Sequence, residues 1–156
     1  MMFLTHLFFG ILSGFLACSF LGCNNQLLFV AVAAIASAFP DIDHLSSKIS
    51  RKIPPLSVVI SFLFSHRGFM HSLIVPVLLY FAISRISELI AAAVLVGYTS
   101  HLLLDATTTK GIRFFYPLRF KVKGIIKTNS FLEKLVAIIL LIITIVVMFS
   151  EISRFL

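Results

Sequence analysis

The chain predicts an all-α, polytopic integral membrane helical bundle of about five crossings, four in a core and one as a carboxyl-terminal anchor. Three observations lead there. Hydrophobic residues make up 60% of the 156 residues and mean hydropathy is +1.10, outside the range of soluble globular domains. Apolar runs near the twenty-residue length of a bilayer crossing recur along it, separated by short polar stretches. Lys and Arg, the source of a formal charge of +7, gather in a few of those stretches, as expected of loops held on the cytoplasmic side. They do not lie interleaved with aromatics on a soluble face, so no nucleic-acid partner is expected. The length suits a single domain over residues 1–156, and no internal repeat or long linker divides it.

Phe3 to Gly22 is the first expected crossing, ending at the uncharged turn Asn24, Asn25, Gln26. Cys18 and Cys23 stand five apart at its far end, a spacing that diverges on a continuous helix. A disulfide is therefore not expected unless the helix ends between them, and they read as inert small residues. No Lys or Arg precedes the run, so it reads as an uncleaved helix rather than a signal peptide. Leu27 to Phe39 is a short second crossing that Pro40 stops, with FPDIDH continuing into a protein-lined cavity.

Leu45 to Pro55 reads as a solvated basic loop, and Leu56 to Ser65 as a re-entrant or interfacial helix too short to span. Met70 to Ser87 and Leu89 to Leu104 form a crossing and its return, with a tight turn from Arg85 to Glu88. The stretch Ala106 to Ser130 mixes six basic residues with Phe114, Phe115, Tyr116 and Phe120, which predicts a segment at headgroup level. Phe131 to Phe149 is an almost uniformly aliphatic anchor.

With these crossings both basic loops fall on one side, which predicts a cytoplasmic amino terminus and an external carboxyl terminus. All five histidines and all three aspartates then fall at cytoplasmic ends of crossings. His6 begins the first, Asp41, Asp43 and His44 end the second, His66 and His71 open the third, and His101 and Asp105 end the fourth. Left unpaired in an apolar setting such groups cost several kcal/mol, about 2–7 by transfer measurements, so agreement in side and depth predicts one shared site.

His101 and Asp105, four apart, share a helical face, and so would Asp41 and His44. Gly68 permits a break that leaves His66 on an entering loop and His71 on the helix proper. Imidazole with carboxylate suits zinc, manganese or iron, and the surplus of ligands predicts either two ions or one ion with acid-base residues. Arg67 is placed to hold a substrate anion or orient an aspartate. Each residue also has a plainer role: His6 and His66 among headgroups, His44 in solvent, Asp41 or Asp43 as caps, and Arg67 reaching to phospholipid.

An amino-terminal His, PDIDH, HRGFMHS, and GYTSHLLLD followed by a Thr-rich turn and Tyr-Pro together resemble the YdjM-like family of membrane-bound metal-dependent hydrolases. The likeness runs from about His6 to Pro117. It implies metal-dependent hydrolysis and a metal-site role for Asp41, Asp43, His66, His71, His101 and Asp105.

The expected function is hydrolysis of an ester or phosphoester at the cytoplasmic membrane face. Metal, zinc above manganese or iron, would be held by His6, Asp41, Asp43, His71, His101 and Asp105. His66 and His44 would act as acid-base groups and Arg67 would face the substrate anion. Membrane lipid, as substrate or surroundings, is the expected partner. The alternatives are a non-enzymatic membrane protein that binds or carries a divalent metal, and a polar cluster that merely packs helices.

Overall fold

The computed structural model describes residues 3–41, 67–116, 118 and 120–153. Six helices carry the described chain: α1 (Phe3–Leu21), α2 (Gln26–Ala38), α3 (Arg67–Met70), α4 (Ile74–Ser84), α5 (Glu88–Ala106) and α6 (Phe131–Ser153). The 19 residues of α1 and of α5 and the 23 of α6 are long enough to cross a bilayer. Helix α2, with 13 residues, and α4, with 11, are shorter than a full span. The crossing expected from Met70 to Ser87 is therefore two helices with a break, and the regular part of its long arm is α4. The expected interfacial helix over Leu56 to Ser65 lies outside the described residues.

Gly22 ends α1 by taking a positive φ of 63°, open to glycine without a steric penalty. The amide of Cys23 then donates back to the carbonyl of Cys18 at 3.2 Å, the closure of a Schellman turn. That closure folds Cys23 over the last turn, and Cys18 and Cys23 form a disulfide with Cα atoms 5.1 Å apart. These cysteines are therefore bonded partners and not the inert small residues expected. Their five-residue spacing diverges on a helix, but the helix stops between them.

Asn25 starts α2, its side-chain oxygen accepting from the amide of Leu28 at 3.1 Å. At the other end Pro40 cannot continue an α-helix, and Phe39–Asp41 tighten into a 3₁₀ turn. Helices α1, α2 and α5 pack against one another closely because small residues sit where they cross. A Cβ on Gly97 of α5 would collide with the carbonyl of Ala33 on α2, and one on Gly10 of α1 with the side chain of Ser37. Phe29, Ala33, Ala93, Tyr98 and Leu102 are buried in this core.

Helix α4 folds back on α5 through a turn closed by Ser87, whose hydroxyl accepts from the amide of Ile90 at 3.4 Å. After α5 the chain forms a compact hairpin-like segment, with Ile112 and Val122 exchanging both backbone hydrogen bonds at 3.0 and 2.9 Å. Leu73, in the break before α4, donates its amide to the carbonyl of Phe114 at 3.0 Å and ties this segment to the bundle. Helix α6 lies mainly along α1, with Gln26 donating to Glu151 at 3.1 Å at one end. Its remaining surface, including Ile138, Ile142 and Val146, is exposed and apolar, as a lipid-facing surface requires.

The bundle thus has two different ends. One gathers Cys18, Cys23, Phe29, Leu89 and Ala93 in an apolar cluster. The other gathers the start of α1, the turn after α2, the α3–α4 break and the last turn of α5.

Candidate metal centre

Four separate elements bring five of the predicted side chains to that second end. His6 lies in the second turn of α1, Asp41 in the 3₁₀ turn after α2, His71 between α3 and α4, and His101 and Asp105 on α5. His71 is not on the helix proper, contrary to the expectation from a break at Gly68. The break falls at His71 to Leu73 instead, and α4 starts only at Ile74.

His6 and His101 form the floor, fully buried and stacked with ring centroids 3.8 Å apart. Asp41, Asp105 and His71 form the rim, with side chains 24%, 16% and 15% exposed. The ring of His71 meets that of His101 edge-on at 5.5 Å. Donor atoms converge across a space of ionic size. His6 Nε2 is 3.4 Å from Asp105 Oδ1 and 3.9 Å from Asp41 Oδ2. His101 Nε2 is 3.6 Å from Asp105 Oδ2 and 4.0 Å from Asp41 Oδ1, and His71 Nε2 is 3.7 Å from Asp105 Oδ2. Donors at the corners of a tetrahedral zinc site with bonds near 2.1 Å lie about 3.4 Å apart, so these separations are close to those of ligands around a common ion.

His101 shows how its ring is aimed. Its Nδ1 lies 2.8 Å from the carbonyl of Ser37, which can only accept, so Nδ1 carries the proton and Nε2 presents its lone pair to the cluster. That carbonyl is available because the partner a 3₁₀ turn would supply three residues on is Pro40, which has no N–H. Nε2 of His101 and both nitrogens of His6 are buried without a hydrogen-bond partner among the described residues. Buried imidazole nitrogens are normally satisfied, and a cation at the centre is the partner that the Nε2 lone pair of each ring fits.

Helix ends add to the electrostatics. Asp105 lies in the last turn of α5 and Asp41 just past the end of α2, where helix carbonyls already concentrate partial negative charge. Carboxylates there are locally unfavourable, and a divalent cation reverses the sign of that cost. The donor set, three imidazoles and two carboxylates, suits zinc, manganese or iron.

Two overlapping triads can be drawn, His6 with Asp41 and His101, and His71 with His101 and Asp105. Both use the single free nitrogen of His101, which can bind one ion. A carboxylate can bridge to a second ion, so the described residues fit one ion or two neighbouring ions. Asp43, His44 and His66 lie outside the described residues, as does the side chain of Arg67, whose backbone opens α3. The carbonyl of Ser37 is a contributor that the sequence reading missed. The one available signal was Pro40, three residues on, which strips that carbonyl of its local donor.

A family model described as "YdjM inner membrane protein" matches residues 1–155. The chain is 40% identical over 136 residues to the uncharacterized protein YvsG of Bacillus subtilis (strain 168), covering 85% of this chain and 84% of that one. It is 35% identical over 99 residues to the inner membrane protein YdjM of Escherichia coli (strain K12), covering 59% of this chain and 50% of that protein. No solved structure matches. The chain belongs to the YdjM family of inner membrane proteins.

Proposed function

We propose that the protein is a membrane-embedded, metal-dependent hydrolase acting on an ester or phosphoester at the cytoplasmic face. The observation that carries this reading is the convergence of His6, Asp41, His71, His101 and Asp105 on one space, with lone pairs of His6 and His101 buried and otherwise unsatisfied. A bound divalent ion would supply Lewis acidity toward a carbonyl or phosphoryl oxygen and make water a usable nucleophile near neutral pH.

The chain's own residues divide the remaining work. His6 and His101 close the floor and exclude water from below, and Ser37 holds the tautomer of His101. Asp41, His71 and Asp105 stand at the open rim, where a substrate approaches. His66 and His44 are the candidates for moving protons, and Arg67 for holding an anionic group. Lipid or a lipid-linked compound is the substrate class that suits a site at this depth.

Two features support a cytoplasmic site. The basic stretch Lys110 to Lys127 adjoins it. At the opposite end lies the Cys18–Cys23 disulfide, a bond that persists on the oxidising side of a membrane. The carrier alternative would need polar groups continuing toward that opposite end. There the described residues offer the apolar cluster around Phe29, which favours the enzyme.

The test is turnover by purified, metal-loaded protein against lipid phosphomonoesters, phosphodiesters and carboxylic esters in vesicles, beside Asp105→Asn. Hydrolysis of one class that falls to background in the variant supports the reading. Undiminished hydrolysis by the variant, or none with any class, contradicts it.

A further inference from the structure

One concavity beside the metal centre belongs to none of the groups assigned above. It has a volume of about 380 Å³, within the range of about 300–1,000 Å³ typical of ligand pockets, and its lining is apolar. One wall is Leu73, Val77 and Leu78 from the break and first turns of α4, and the other is Phe114, Phe115 and Tyr116. The two walls are joined by the hydrogen bond from Leu73 to the carbonyl of Phe114.

Its position matters as much as its lining. Leu73 is two residues from His71, and Leu73 and Phe114 pack on the cluster of Val75, Tyr98, Leu102 and Ile112, in which Leu102 follows His101 on α5. The groove therefore starts two residues from His71 and runs along the outer face of α4 away from it. The segment that supplies the aromatic wall is basic: it also carries Lys110, Arg113, Lys121 and Lys123, all exposed. An occupant needs an apolar tail for the groove and an anionic head for that segment.

We propose that this groove seats one acyl chain of an anionic lipid, which places the head of that lipid at the rim formed by Asp41, His71 and Asp105. The proposal rests on the hydrolase reading for what happens to the head, while seating of the chain can be read independently. An ordinary lipid-facing surface selects no head group. A groove walled by a basic segment does, by about fivefold for each basic residue engaged.

The experiment uses the full, metal-loaded chain in vesicles of equal phosphatidylglycerol and phosphatidylcholine, with a trace of either lipid carrying a photoactivatable acyl chain. Cross-links are mapped by peptide, and bound metal is measured in the same samples. The phosphatidylglycerol probe is expected to label the Leu73–Leu78 and Phe114–Tyr116 peptides about fivefold or more above the exposed face of α6 around Ile142, a preference the phosphatidylcholine probe lacks. Val77→Trp and, independently, Leu78→Trp fill the groove from partly exposed positions and are expected to abolish that preference with metal content unchanged. Equal labelling of both faces by both probes would overturn the proposal, because it describes surrounding lipid alone. Absence of groove labelling would also overturn it, the groove then being filled by protein. Selective labelling on protein that binds no metal would uphold the groove and sink the hydrolase reading.

Discussion

A buried imidazole has two nitrogens to satisfy, and at His101 they have different answers. Nδ1 donates to the carbonyl of Ser37, and Nε2 turns toward Asp41 and Asp105. Since Pro40 keeps that carbonyl free, Pro40→Ala supplies an N–H that competes for it. The variant is predicted to fold and to bind metal about tenfold more weakly, as loss of a ligand-orienting contact commonly does. Unchanged affinity in a metal titration would show that the Ser37 contact does not orient the ring. The residue types of the site were readable from the sequence because His and Asp are conspicuous in an apolar chain. The backbone partner was harder to read, since a carbonyl has no signature of its own and only Pro40, three residues on, marked this one as free.

At the scale of elements, the site depends on how closely α2 and α5 approach, because Asp41 follows the first and His101 and Asp105 belong to the second. Gly97 sets that approach, its missing Cβ making room for the carbonyl of Ala33. Gly97→Ala is predicted to push the helices apart and cost about 1–3 kcal/mol, seen as a lower unfolding midpoint together with weaker metal binding. A variant with wild-type stability and metal affinity would refute this account of the crossing. The long helices were legible: α1, α5 and α6 fall within a few residues of the runs that hydropathy marks. Two local events were missed. Ile74 opens α4 because Pro76 is tolerated only in a first turn, a signal five residues after His71 that the expected crossing passed over, so His71 sits in the break before it; and the Schellman closure at Gly22 brought together cysteines whose spacing argued against a bond.

For the molecule as a whole, a disulfide at one end of α1 and an acidic, imidazole-lined site at the other give the bundle a polarity. The basic segment after α5 lies at the same end as the site, and charge and redox chemistry are the grounds for the orientation proposed above. In a Cys18→Ser, Cys23→Ser background, a cysteine replacing Asn24 is predicted to react with an impermeant maleimide on intact cells. One replacing Thr109 is predicted to react only after permeabilisation. The reverse pattern would turn the protein over and place the site outside.

Elemental analysis of detergent-purified protein, wild type beside His71→Ala and Asp105→Ala with folding verified in each, tests the shared centre most directly. One or two equivalents of zinc, manganese or iron are expected in the wild type, with loss of the metal in both variants. Well-folded wild-type protein that binds none of these ions, even after reconstitution, would contradict the metal centre and leave the five side chains as helix-packing structure.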